Sequence, residues 1–206
     1  VKPTLAEQIE YCDRWLETNK PVEWPSMGVQ REGACKPMEF EDVATWTRGK
    51  MYMRSDPVNG DHWTYEKAIR PGHWSVLEFS WFVYSITGVS RICTHELVRH
   101  RHLSFMQEST RASGKFPPPL DWPSGLPRDE DERYHYLDPW RSSILVAGNG
   151  RAWAGMLRKR LCLRAAPEIR WLAYLVAKDL RVVAPLVYAC AVPDCERCEE
   201  RDCDGA

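Results

Sequence analysis

The stretch RHRHLSFMQESTR, Arg99 to Arg111, gathers three arginines, two histidines and a glutamine in thirteen residues. Guanidinium groups offer planar forks of donors, serine a hydroxyl, and glutamine an amide that both donates and accepts. Gln107, Ser109 and Arg111 are spaced by two, so in an extended segment their side chains share one side. Such a lining suits a phosphate together with a base edge of mixed hydrogen-bonding character. A plainer use exists for Arg99, His100 and Arg101, which fall at the C-terminal end of a predicted helix. Cations there gain roughly 0.3–1 kcal/mol from the helix dipole. That covers one or two of them and not the continuation. Arg133, Arg151, Arg158 and Arg160 each read in isolation as surface arginines.

Other chemistries lack their residues. No GxSxG elbow supports Ser109 as an acyl nucleophile. Neither a P-loop nor a GxGxxG fingerprint occurs. His95 and His100 lie five apart, and no HExxH pattern is present. Cys190, Cys195, Cys198 and Cys203 crowd the C-terminal end, with CxxC spacing between Cys195 and Cys198. Four ligands in fourteen residues leave little chain to wrap a tetrahedral ion, and the acidic neighbours favour a solvated or partner-binding tail over residues 190–206. No metal site is assigned.

These groups sit in a chain of 206 residues with formal net charge −1, 44% hydrophobic and 28% charged residues. That balance is globular, and the length suits one domain over residues 1–206. A general nucleic-acid binder would carry a basic excess that is missing here, so the arginine cluster is local and suits a small anion. Most of the ten tryptophans are expected in core packing. The longest apolar run, VVAPLVYACAV, is too short to span a bilayer. The opening VKPTLAEQIE is polar and unlike a signal peptide. A cytosolic protein with mostly reduced thiols is expected.

The elements that must hold the cluster follow from periodicity. Residues 4–18 place Leu5, Ile9, Cys12 and Leu16 at helical spacing. Residues 20–60 sustain no period and read as loops with short elements. From Phe79 through Tyr84 the chain is β-rich on both alternations, predicting a strand buried on both faces and closed by Gly88. A helix follows, carrying Val89, Ile92, Cys93 and Leu97. Residues 113–127 are proline-rich and irregular. ILVAG is either a short strand or the lead into a helix. Asn149 is a good N-cap for the segment after it. Pro167 suits the first turn of another helix, with Ile169, Leu172, Ala173, Val176 and Leu180 on one apolar face. The class is α+β, or mixed α/β.

Arg99-His100-Arg101, seven residues, then Ser109 resembles the RHR-x7-S signature of the flavin-dependent thymidylate synthases. Upstream, GHWSVLEFSWFVYSITGVSRICTHELVRHR is similar to the family's corresponding segment throughout. Downstream, DERY at 131–134 and NGRAWAGMLRKR look like two further family motifs. The resemblance covers about residues 71–170. It implies a twisted sheet with flanking helices and a homotetramer with active sites at subunit interfaces. It also implies transfer of a methylene group from methylenetetrahydrofolate to C5 of a uracil nucleotide, with reduced FAD as hydride source and NADPH to re-reduce the flavin. By matching position, Arg99, Gln107, Glu108, Ser109, Arg111, Arg133 and Arg160 would hold the nucleotide. His73, Ser75, Glu78, Arg99, His100, Arg101 and Asn149 would hold the flavin. Arg111, Arg160 and His73 would be catalytic, a fixed cation near O4 stabilising the enolate that develops as C5 attacks.

Four departures stand out. Ala112 replaces an aromatic residue that packs near the sugar. Glu96 stands where glutamine is common, and Gly155 replaces a residue that often touches the flavin adenosine. AQWEIR becomes AAPEIR. The space left at Ala112 would admit a 2′-hydroxyl. Together the departures resemble the variant of the family that methylates UMP, with dUMP as a second substrate, in polyoxin-type nucleoside antibiotic biosynthesis. A housekeeping dUMP enzyme and a non-catalytic flavin- or nucleotide-binding module are the alternatives.

Overall fold

The computed structural model describes residues 3–34, 65–109 and 141–193. The expectations for the 113–127 loop, for residues 35–60 and for Cys195, Cys198 and Cys203 lie outside them.

Helix α1 spans Leu5–Thr18, as its periodicity requires. Thr4 accepts from the Glu7 amide while the Glu7 carboxylate accepts from the Thr4 amide, a reciprocal cap. Strand β1, Gly28–Ala34, falls in the stretch expected to hold only short elements. Its sequence GVQREGA has almost no apolar period. Antiparallel pairing to the next strand makes it a strand, with a register shift between Arg31 and Gly33. Arg31 also donates to Asp179 at 2.8 Å. A π-helical turn, Tyr65–Ile69, and a 3-10 helix, Trp74–Phe79, then lead into strand β2, Trp81–Ser90.

Strand β2 corrects three expectations. Phe79 belongs to the 3-10 helix before it. Only one face is buried, through Phe82, Tyr84 and Ile86, while Trp81 on the other alternation is 45% exposed. Gly88 does not end the strand. It lies inside it at φ 67°, where a Cβ would meet the Ser26 carbonyl oxygen at 1.7 Å. Only glycine lets the chain bulge there against its neighbour.

Ser90 ends β2 and caps helix α2, Arg91–Leu97, by accepting from the Cys93 amide at 3.1 Å. The helix is shorter than its pattern suggested. Val89 remains in the strand, and Ile92 is 54% exposed because Cys93, Thr94 and Leu97 define the buried face. Strands β3, Ser104–Gln107, and β4, Arg141–Asn149, complete a four-stranded antiparallel sheet ordered β1-β2-β4-β3. ILVAG is thus strand: Ile144 and Val146 alternate into the core while β4 pairs on both sides.

Helix α3, Gly150–Arg160, starts directly from β4, and helix α4, Pro167–Val183, carries Pro167 in its first turn. The five apolar residues expected on one face of α4 are fully buried. Trp153 of α3 meets Tyr84 edge to face, with ring centroids 4.9 Å apart. A last short helix, α5, Pro185–Tyr188, leads to buried Cys190 and Val192. The solvated tail expected from residue 190 is thus corrected for residues 190–193, which are buried against the core. Among the described residues no helix is long and apolar enough to cross a membrane.

Candidate active site

Two polar groups form at the two ends of α3. The eleven-residue step from Asn149 to Arg160 spans roughly 16 Å at the helical rise of about 1.5 Å per residue.

At the C-terminal end Arg160 is held three ways. Its Nε donates to His100 Nε2 at 2.9 Å, its Nη1 to the Glu96 carboxylate at 2.8 Å, and its Nη2 to the Glu96 carbonyl at 2.8 Å. Accepting at Nε2 requires a neutral His100 with its proton on Nδ1. Burial, and then the charges of Arg160, Lys159 and Arg99, push this imidazole down to about 4, so it is neutral near pH 7. The turn bearing it is set by His100 N–H donating to the Leu97 carbonyl and Leu103 N–H to the His100 carbonyl. Leu103 pins the turn against Gly148, where a Cβ would come within 2.3 Å of its Cδ2. Arg99 and Arg101 project from this turn as exposed side chains.

β3 runs on from the turn. Gln107 faces the core side of the sheet, donating to Thr94 Oγ1 at 3.0 Å and Ser142 Oγ at 3.4 Å. Glu108 extends the ladder: its amide donates to the Ser143 carbonyl, and its carboxylate accepts from the Ser143 amide at 3.1 Å. Ser109 is exposed at the end of the segment. Arg111, Ala112 and Arg133 lie outside the described residues.

At the N-terminal end Asn149 caps α3 as its type and place suggested, accepting from the Ala152 amide at 2.9 Å. Gly150 lets the 3-10 helix pack closely: a Cβ there would stand 2.6 Å from Ser80 Oγ and 3.0 Å from the Leu77 carbonyl oxygen. That contact sets Glu78 beside Arg151, and the two form an ion pair. Arg158 lies over the Trp74 ring, 5.2 Å from its centroid. His73 and Ser75 flank Trp74 and are exposed. Sequence reading treated Arg151 and Arg158 as surface residues and had no partner for Glu96. No local signal could have found these pairs, since Glu78 and Arg151 are 73 apart in the chain and Glu96 and Arg160 are 64 apart. Gly155 faces open space, with nothing within 4 Å of a Cβ built on it.

Among the described residues no group of three or more His, Cys, Asp or Glu is arranged to hold a metal ion. The described groups are guanidinium, imidazole, carboxylate and hydroxyl. Fold and site together define an α+β protein that gathers hydrogen-bonding side chains at the two ends of one helix.

The comparisons with known proteins give this class its family. Residues 47–136 and 124–186 match the family of the thymidylate synthase complementing protein. The chain is 31% identical to the flavin-dependent thymidylate synthase of Sulfolobus acidocaldarius over 189 residues, covering 78% of this chain and 65% of that protein. It is 32% identical to the enzyme of the same name from Mycobacterium tuberculosis over 161 residues, covering 57% of this chain and 64% of that one. The chain thus spans just under two thirds of the length of these relatives. The fold is that of the Helicobacter pylori flavin-dependent thymidylate synthase ThyX, solved with FAD and dUMP. The TM-score is 0.62 at 18% identity, covering 80% of this chain and 99% of that one. This chain belongs to the thymidylate synthase complementing protein family.

Proposed function

We propose that this chain methylates C5 of a uracil nucleotide, taking the one-carbon unit from methylenetetrahydrofolate, with FAD as cofactor and NADPH as the source of reducing equivalents. The observation that carries the reading is the junction of Arg160 with His100. Two motifs of the resemblance, 60 residues apart, meet there in one hydrogen-bonded cluster. The donor set suits the cofactor: Arg99 and Arg101 are exposed cations fit for phosphates, with His73 and Ser75 available for a ring edge. When bound, the flavin supplies the hydride that reduces the transferred methylene to a methyl. The chain's own part is to bind and orient. Arg99, Gln107, Glu108, Ser109, Arg111 and Arg133 would hold the nucleotide, and Arg160 would direct N–H groups to the ring. His73, Ser75, Glu78, Arg99, His100, Arg101 and Asn149 would line the flavin site.

The substrate we favour is UMP, with dUMP second. Ala112 carries only a methyl where the family has an aromatic ring near the sugar, so its side chain would not exclude a 2′-hydroxyl, and a site must exclude that group actively to reject it. The names of the relatives favour a second reading, dUMP alone. Tritium release from 5-tritiated UMP and dUMP, assayed side by side with FAD, NADPH and methylenetetrahydrofolate, separates them. Ala112→Tyr should shift preference towards dUMP. Flavin retention without tritium release from either nucleotide identifies a binding module and refutes the methylase.

Residues 1–206 are read as one domain that assembles as a homotetramer with shared sites. The open sheet face supports this: Trp81, Val83, Leu145 and Met106 lie on one side, Met106 72% exposed and paired directly with Leu145. Exposed apolar side chains clustered on one sheet face are costly to leave in water. Light scattering that returns a monomer for the flavin-loaded protein would refute the shared site.

A further inference from the structure

We propose that Glu96 is a positioning residue that fixes the plane of Arg160, so that the guanidinium is held ready to donate to a ring carbonyl oxygen. The inference rests on the methylase reading and deepens it at one residue. A guanidinium carries five N–H donors. Three are committed, to His100 Nε2, the Glu96 carboxylate and the Glu96 carbonyl. Among the described residues one N–H on each terminal nitrogen is not committed, a directional pair with its plane already set. Both partners are largely withdrawn from water, with side-chain exposures of 17% for Arg160 and 26% for Glu96. Attraction between them is therefore weakly screened, and with the His100 acceptor it holds the guanidinium in one orientation. A glutamine at position 96 would keep one acceptor oxygen for Nη1.

The test uses the full flavin-loaded chain and tritium release from 5-tritiated UMP and dUMP, with thermal unfolding of each variant as a check on folding. Glu96→Ala frees Arg160 to swing. It should lower kcat by about ten- to a hundredfold, the scale of a displaced catalytic group, and leave KM within about threefold. Glu96→Gln, which keeps the hydrogen bond, should recover most of that kcat. In an Arg160→Ala background, Glu96→Ala should cost nothing further, since the residue acts only through Arg160. An unchanged kcat in Glu96→Ala overturns the inference. So does a loss in KM alone, a Glu96→Gln variant as impaired as the alanine, or independent costs in the double variant. If the wild-type chain releases no tritium, the methylase reading fails and takes this inference with it. If it turns over normally and Glu96→Ala matches it, only the inference fails.

Discussion

Glu168 is the buried carboxylate on which the corner between sheet and helices turns, and its removal has a calculable cost. It lies in the first turn of α4 and accepts from the Ser90 amide at 2.8 Å, from the Ser90 hydroxyl, and from Arg141 Nη1 at 2.6 Å. Glu168→Ala leaves the Ser90 amide and hydroxyl without this acceptor in a site that water does not reach, costing about 1–3 kcal/mol. Arg141 has a side-chain exposure of 40%, so it regains water and its share shrinks to about 0–1 kcal/mol. Loss of a negative charge at the helix N-terminus adds roughly 0.3–1 kcal/mol. The sum, about 1–5 kcal/mol, corresponds to a fall in Tm of roughly 3–20 °C for a chain of this size. Glu168→Gln keeps one acceptor oxygen and should lose about half as much. Urea unfolding followed by circular dichroism measures both variants, and the m-value shows whether the denatured state has changed. If Glu168→Ala unfolds within about 0.5 kcal/mol of the wild type, the corner is held by packing alone and the account of Ser90 is wrong.

Three further outcomes are expected. The free imidazole takes its proton near pH 6.5, and the folded His100 near 4. Between those values the unfolded chain binds a proton that the folded chain refuses, so this contribution makes stability fall as pH drops through that window and is flat above it. His100→Gln should remove that slope from urea midpoints measured across the window. Gly155→Ala, mid-helix and facing open space, should stabilise the protein by about 0.5–1 kcal/mol, raising Tm by roughly 1–4 °C; a lower Tm would show that the position is not open. Burial pushes the Cys12 and Cys190 thiols up to about 12 and raises Cys93 as well. These three should resist alkylation at pH 8 until the protein unfolds, and mass-spectrometric labelling of any of them in the native state would contradict their burial.

The parts legible in the sequence were those whose own residues carry the signal. α1 and α4 show a helical period, and Asn149 and Pro167 mark helix starts by type. β1 was hidden because its one valine makes no pattern; pairing with β2 and the Arg31–Asp179 bond hold it. β2 was seen, but its second apolar alternation is not buried as expected, Trp81 being 45% exposed. Ile92 misled for the same reason, being apolar at helical spacing yet turned outward. At the site, the motif resemblance named both His100 and Arg160, and the fold joins them. Glu96 and Arg151 acquire their partners only when distant segments meet, so no spacing could announce them.

Two residues each serve a strand and a helix at once: Ser90 closes β2 and caps α2, and Asn149 closes β4 and caps α3. Neither junction contains a loop, so neither helix has a hinge at its root. With both helices anchored in adjacent strands, ligand binding has no joint there about which to swing the Glu96–Arg160 pair. Accommodation falls instead to the turn at residues 98–103 and to side-chain rotation, which suits a site that is assembled in advance and filled without reshaping its frame.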